Sequence, residues 1–257
     1  MEANIDRAAT LILTSKYVVG LTGAGISVES GIRPFRGPGG LWTEYGEPPM
    51  DGYQRFLADP KEHWEQISRR DGYLGELYKA LEKAESHAAH YALAELEELG
   101  VLKYLITQNV DNLHRAVGNK KVAEIHGNFR KMRCIRCGSR YEQGEVSLET
   151  LPLLCPGCGG IVKTDGVMFG EPIPMDVLEI CQRETSNADC MLSVGTSAFI
   201  YPAAGFSQQV KRKGGVLVEV DLYETELTPL CDISLRGKAG EVLPLLVDSI
   251  NHKLETG

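Results

Sequence analysis

Four of the seven cysteines fall in two Cys-x-x-Cys pairs, Cys134-Ile135-Arg136-Cys137 and Cys155-Pro156-Gly157-Cys158, separated by 17 residues. That spacing is characteristic of a zinc ribbon. Four thiolates complete a tetrahedral shell and leave no position for water or substrate. Cys134, Cys137, Cys155 and Cys158 are therefore expected to hold one structural zinc ion. Gly138 and Gly159 follow the second cysteine of each pair and let the chain turn so that amides can face the sulfurs. A redox dithiol would need only one pair. A nucleic-acid-binding ribbon would present a basic, aromatic surface, whereas residues 128–166 hold six basic side chains against four acidic ones. Cys181, Cys190 and Cys231 stand alone, and an odd total argues against a disulfide framework and for a reducing compartment.

Outside the cysteine segment, short apolar runs alternate with helical patterns. Strands are expected at 17–22, 103–107, 191–194 and 216–221, and helices at 3–15, 87–99, 175–185 and 202–213. This alternation predicts an α/β fold, a doubly wound parallel sheet of Rossmann type. Two segments break the rhythm. Residues 34–83 start rich in Gly and Pro and then become helical, and residues 128–166 carry the cysteines. Both are read as insertions that form a smaller lobe on a main domain of residues 1–33, 84–127 and 167–257.

The first strand runs directly into Gly23-Ala24-Gly25-Ile26-Ser27. A Gly-x-Gly turn between strand and helix is where a pyrophosphate rests on backbone N–H groups, and a Cβ there would hold the phosphates away. The usual third glycine is replaced by Val28, and such turns also occur without any ligand. A second glycine turn follows another strand at Ser193-Val194-Gly195-Thr196-Ser197. If the two strands are neighbours, both turns face one crevice.

The run Thr107-Gln108-Asn109-Val110-Asp111-Asn112-Leu113-His114 follows the second strand. Amides and a carboxylate at a strand end suit a polar pocket better than a core. The same run serves equally as a helix cap, with Asp111 or Asn112 as N-cap. His126 sits in Ala123-Glu124-Ile125-His126-Gly127-Asn128, where a packed, hydrogen-bonded histidine is the plain reading. His87 and His90 lie three apart with no third metal ligand suggested, and are read as structural. No Gly-x-Ser-x-Gly elbow is present, so a serine hydrolase has no support.

Lys and Arg number 27 against 35 Asp and Glu, a net charge of −8, which argues against direct nucleic-acid binding and against an anionic membrane partner. No apolar stretch approaches the roughly 20 residues of a membrane span. Residues 1–6 lack the basic start and apolar run of a secretory signal, so a cytoplasmic location is expected.

Taken in order, these pieces resemble the sirtuins, the NAD-dependent protein lysine deacylases. The resemblance rests on Gly23-Ala24-Gly25-Ile26-Ser27, Ser30-Gly31-Ile32 and Phe35-Arg36-Gly37. It continues through Thr107-Gln108-Asn109-Val110-Asp111 with Leu113-His114, Glu124-Ile125-His126-Gly127, the four cysteines, Phe169-Gly170-Glu171 and Gly195-Thr196-Ser197. It implies NAD as a consumed co-substrate and an acetylated protein or peptide as partner. Gly23 and Gly25 would lie under the pyrophosphate, and Ala24, Phe35 and Arg36 would line the pocket. Gln108, Asn109 and Val110 would hold the nicotinamide-side ribose, and Asp111 the nicotinamide amide. Gly195, Thr196 and Ser197 would meet the phosphate and adenosine end, and Asp221 and Leu222 the adenosine ribose. His126 would be the general base, with Asn109 and Asp111 completing the catalytic set. Val167, Met168, Phe169, Gly170 and Glu171 would form one wall of the acyl-lysine tunnel and pair with the substrate backbone.

The products so implied are nicotinamide, O-acetyl-ADP-ribose and free lysine. The same cofactor chemistry would also serve a mono-ADP-ribosyltransferase, and a non-enzymatic NAD-binding scaffold would need no base. Two departures stand out. The family usually has Pro-Asp where this chain has Arg33-Pro34, and often Asn where it has Asp221. The Tyr-x-x-Arg pair of the succinyl- and malonyl-removing sub-group is not found around residues 64–70, so an uncharged acyl group is expected.

Overall fold

The computed structural model describes residues 1–70, 72–142, 144–147 and 150–256. The first half comprises α1 Glu2–Thr14, β1 Val18–Thr22, α2 Leu41–Tyr45, α3 Gly52–Ala58, α4 Pro60–Arg69, α5 Gly72–Lys83, α6 Ala88–Glu98, β2 Leu102–Thr107, α7 Leu113–Ala116 and β3 Val122–Glu124. Then follow β4 Lys131–Cys134, β5 Arg140–Glu142, β6 Val162–Thr164, α8 Met175–Asn187, β7 Cys190–Val194, α9 Ala203–Arg212, β8 Val216–Asp221, β9 Ile233–Arg236 and α10 Ala239–Thr256.

Strands β1 and β7 are buried at every position, as strands covered on both faces must be. They lie side by side in a six-stranded sheet of order β3-β2-β1-β7-β8-β9, in which every pair is parallel. Alternate residues feed opposite faces. Val18, Leu105 and Leu192 pack with α1, α6 and α10 on one side. Val19, Leu21, Ile106 and Met191 pack with Cys181 of α8 and Phe206 and Val210 of α9 on the other. Chain order reverses between β1 and β7, so a crevice opens beyond their carboxyl ends.

Three elements were not legible in the sequence. Strands β3 and β9 are short edges, three and four residues long. Helix α10 carries Pro244 inside it, a residue that ordinarily breaks a helix, yet Val242, Leu243, Leu246, Val247 and Ile250 form its buried stripe. The Gly-x-Gly turn also differs from expectation. It opens not an α-helix but a seven-residue 3₁₀ segment, Ala24–Ser30, with Val28 exposed.

The cysteine segment forms a separate antiparallel sheet, β5-β4-β6. Its core holds Met132, Cys134, Val146, Leu153 and Val162, and Trp64 of α4 inserts into it. Trp64 Nε1 donates to Val162 O at 3.1 Å. Helix α4 is started by Asp59, which accepts from Glu62 N at 3.0 Å, with Pro60 at the first helical position, where its missing N–H costs nothing. Among the described residues no helix is long and apolar enough to cross a membrane.

Candidate active site

At the carboxyl ends of β1 and β7 the two glycine turns meet backbone to backbone. Gly25 N donates to Gly195 O at 2.8 Å, and Gly23 N donates to Val194 O at 3.1 Å. A Cβ on Gly25 would stand 2.7 Å from Gly195 Cα, and one on Gly195, whose φ is +59°, would stand 2.3 Å from Ile26 N. The glycines are therefore required by each other, before any phosphate is considered.

The turns border a cavity of about 1640 Å³ that runs between the large sheet, residues 34–81 and the cysteine lobe. Most of the residues singled out in the sequence lie on its wall. Gly23, Ala24 and Gly25 border it with Gly195, Thr196 and Ser197, and Asp221 and Leu222 border it beyond β8. Phe35 and Arg36 form the side above. Phe35 packs on Trp42 with centroids 4.7 Å apart, and the Arg36 guanidinium lies 4.5 Å over the same ring while pairing with Glu47 at 2.9 Å. Gln108, Asn109, Val110 and His126 form the floor, and Val167, Met168, Phe169, Gly170 and Glu171 the far wall. Phe169 O accepts from Tyr53 N at 2.9 Å, which ties that wall to α3.

The amides are held rigidly. Gln108 Nε2 donates to Thr196 Oγ1 at 2.8 Å, linking the ends of β2 and β7. Asn109 Nδ2 donates to Gly23 O at 3.0 Å and to Ser27 Oγ at 3.1 Å. His126 Nδ1 lies 3.0 Å from Gln108 O. A carbonyl can only accept, so Nδ1 carries the proton and Nε2 keeps its lone pair. Burial pushes the pKa of this imidazole below its ordinary 6.5, so it is neutral at physiological pH.

Asp111 is the exception. It does not border the cavity: Ser27 donates to its Oδ2 at 2.7 Å and Leu113 N to its Oδ1 at 3.0 Å. Burial raises its pKa. Asn112 occupies the N-cap of α7 but makes no side-chain cap bond, and Asp111 instead accepts from Leu113 N across the turn while bracing Ser27 and, through it, Asn109. Direct contact with a ligand in this cavity, as the resemblance implies, would require Ser27 to give way.

Residues that sequence reasoning passed over complete the site. Trp42, which meets Phe169 at 5.5 Å, sits inside a Gly-Pro-rich stretch that carried no periodic signal. Ser27 was legible only as part of a motif. Beneath the floor, Thr22 donates to Thr107 Oγ1 at 2.8 Å, and His114 Nε2 lies 3.0 Å from Thr22 Oγ1. The ring of His90 lies 5.0 Å from that of His114, tilted by 57°. These contacts join residues up to 92 positions apart, beyond the reach of local pattern.

In the small lobe one sulfur from each of Cys134, Cys137, Cys155 and Cys158 lies within 4.8 Å of all the others. Sγ separations of 3.5 Å for Cys134–Cys158 and 3.7 Å for Cys137–Cys155 match the ~3.8 Å edge of a tetrahedron with zinc–sulfur bonds of about 2.3 Å. The amides that face sulfur are Arg136 N onto Cys134 and Gly160 N onto Cys158, both at 3.4 Å. The donor set and its spacing fit a closed zinc site.

Comparison with known proteins agrees with this geometry. Residues 23–202 match the model of the Sir2 family. The chain is 43% identical over 250 residues to the NAD-dependent protein deacylase 1 of Archaeoglobus fulgidus, covering 97% of this chain and 99% of that one. A solved Sir2 homolog–NAD complex superposes with a TM-score of 0.82 at 42% identity, covering 97% and 94% of the two chains. A Sir2–p53 peptide–NAD⁺ complex superposes with a TM-score of 0.79 at 32% identity over 96% and 98%. A doubly wound sheet, paired glycine turns at its switch point and a four-cysteine lobe coincide with near full-length identity, and the chain belongs to the Sir2 family.

Proposed function

We propose that this protein is an NAD-dependent protein lysine deacetylase, converting an acetylated protein or peptide, NAD and one water into free lysine, nicotinamide and O-acetyl-ADP-ribose. The observation that carries this reading is His126, held as the Nδ1–H tautomer by Gln108 O, on the wall of the same cavity as both glycine turns. NAD, when bound, supplies a ribose carbon that becomes electrophilic as nicotinamide leaves.

The chain's own residues do the rest. Gly23, Ala24, Gly25 and Gly195 to Ser197 would receive the phosphates and adenosine side, with Asp221 at the adenosine ribose. A carboxylate there accepts from ribose hydroxyls and repels a 2′-phosphate. Phe35, Arg36 and Trp42 would close over the reacting centre and exclude water. Gln108 and Asn109 would orient the nicotinamide-side ribose. His126 Nε2 would take the proton of a ribose hydroxyl, which a neutral imidazole can do near neutral pH. Asp111 would act through Ser27 and Asn109 as a positioning group. Val167 to Gly170 would line the acyl-lysine channel. One zinc, held by the four cysteines, would contribute folding energy to the small lobe and take no part in the reaction.

The uncharged acyl preference has a structural argument. Arg33, the unexpected cation of the cofactor loop, pairs with Glu44 at 2.6 Å and Glu76 at 2.8 Å and donates to Gly39 O at 2.8 Å. It is engaged by the loop and by Glu76 of α5 and does not border the cavity, so it is not placed to neutralise an acyl carboxylate.

The test is to incubate the protein with NAD and an acetyl-lysine peptide and to weigh the products. The expected result is deacetylated peptide together with O-acetyl-ADP-ribose. Peptide left acetylated while ADP-ribose appears on protein would replace this reading with ADP-ribosyl transfer, and no turnover of NAD would leave a binding scaffold.

A further inference from the structure

Lys163 is fully buried, and nothing in the proposed reaction uses it. An ammonium has three hydrogens to donate, and all three are taken. They go to Thr164 O at 2.8 Å, Gly166 O at 2.5 Å and Glu171 Oε2 at 3.1 Å. Burial pushes its pKa down to about 8, so it remains a cation at neutral pH. The Glu171 carboxylate is 2% exposed and also accepts from Arg133 Nη2 at 2.7 Å and from Met168 N at 2.8 Å. Arg133 Nε reaches Asp165 Oδ1 at 3.0 Å. Arg133 of β4 and Lys163 of β6 stand opposite each other in register.

Two cations on neighbouring strands of the small lobe thus close residues 164–171 into a ring. Glu171 borders the cavity, but its carboxylate is spent on this ring and not on a ligand. The segment then meets the site at two points. Val167 N donates to His126 O at 2.9 Å, and Phe169 O accepts from Tyr53 N. Burying four charged groups is costly unless each is paired in good geometry, and apolar packing could fill the same space at less cost. What the charges add is a single backbone conformation for a segment without regular secondary structure.

We infer that Lys163 and Arg133 are positioning residues for the acyl-lysine peptide, holding the Val167–Gly170 wall in register with His126. This role rests on the deacylase reading. It predicts that loosening the ring harms peptide docking and spares the nucleotide side, which is built on the other lobe.

The test compares Lys163→Met and Lys163→Arg in the zinc-loaded full chain. Three quantities are measured: KM for an acetyl-lysine peptide at saturating NAD, Kd for ADP-ribose by calorimetry, and amide exchange across 164–171. Lys163→Met should raise the peptide KM tenfold or more, speed exchange at Val167 and Met168 at least tenfold, and leave the ADP-ribose Kd within twofold. Lys163→Arg should recover most of the loss. If Lys163→Met folds poorly, Lys163→Met with Glu171→Gln removes the Lys163–Glu171 charge pair together, leaves the Arg133–Asp165 pair in place, and should show the same KM rise in a stable protein. An unchanged peptide KM with normal exchange overturns the role. So does an equal loss of peptide and ADP-ribose affinity, which marks a general structural defect. A wild-type protein that leaves the peptide untouched counts against the deacylase reading and this role with it. An active wild type with an unaltered variant counts against Lys163 alone.

Discussion

Lowering the pH from 7.5 to 5 should cost the fold about 4 kcal/mol through two histidines, His90 and His114, at about 1.4 kcal/mol per pKa unit. Both are buried, 0% and 3% exposed, and neither ring has a carboxylate beside it. Burial, the largest cause, pushes His90 down to about 2 and His114 down to about 3. The titratable groups acting on them, His87 on both and His114 on His90, also oppose protonation. In the unfolded chain both return to about 6.5, so below that pH the unfolded state binds protons that the folded state refuses. The stability they allow is complete above pH 6.5 and is lost as the pH falls toward their folded values. At pH 5 each contributes a loss of about 2 kcal/mol. Urea unfolding followed by circular dichroism at both pH values measures the whole acid loss, to which His63, pushed down to about 4 by burial, and His126 also contribute, and His90→Leu isolates one share. The variant's stability at pH 7.5 will differ from that of the wild type, but the difference between the two pH values should shrink by about 2 kcal/mol. If His90→Leu and the wild type lose the same amount on acidification, within about 0.5 kcal/mol, the histidines do not carry the effect and the linkage argument fails.

Four further outcomes are expected. His126→Ala should lower deacetylation by about 10² to 10⁴-fold while ADP-ribose still binds, and the wild-type acid limb of kcat/KM should fall below pH 6.5 because burial depresses this imidazole. More than a few per cent residual activity would remove His126 from the role of base. Cys155→Ala should abolish the one zinc per chain that metal analysis is expected to find and should unfold the small lobe, so an active, metal-free protein would contradict a structural zinc. Gly25→Ala places a methyl 2.7 Å from Gly195 Cα and should destabilise the fold by about 1–3 kcal/mol with loss of nucleotide binding, read from a thermal melt and calorimetry. Acetyl-lysine peptides should be processed at least tenfold more efficiently than succinyl-lysine peptides of the same sequence. A succinyl preference, measured as kcat/KM, would mean that Arg33 leaves Glu44 and Glu76 to meet the substrate.

Local pattern in the chain was enough for the parallel α/β class, the zinc-type cysteine pairs and the two glycine turns. Each of these is written in residues a few positions apart, through period, spacing or the absence of a side chain. Strands β1, β2, β7 and β8 were legible as short, mostly apolar runs, because strands covered on both faces are largely buried. Edge strands β3 and β9 were not, because so few residues leave no measurable period. The site divides in the same way. Gln108 and Asn109 announced themselves as polar groups at a strand end, His126 only through its place in the sirtuin motif, and all three border the cavity. That Asp111 stands behind Ser27, that His114 finds His90, and that Lys163 closes a ring on Glu171 were decided only in three dimensions. A sequence shows which polar groups must find partners when buried. Which partner each one finds depends on the packing of elements far apart in the chain.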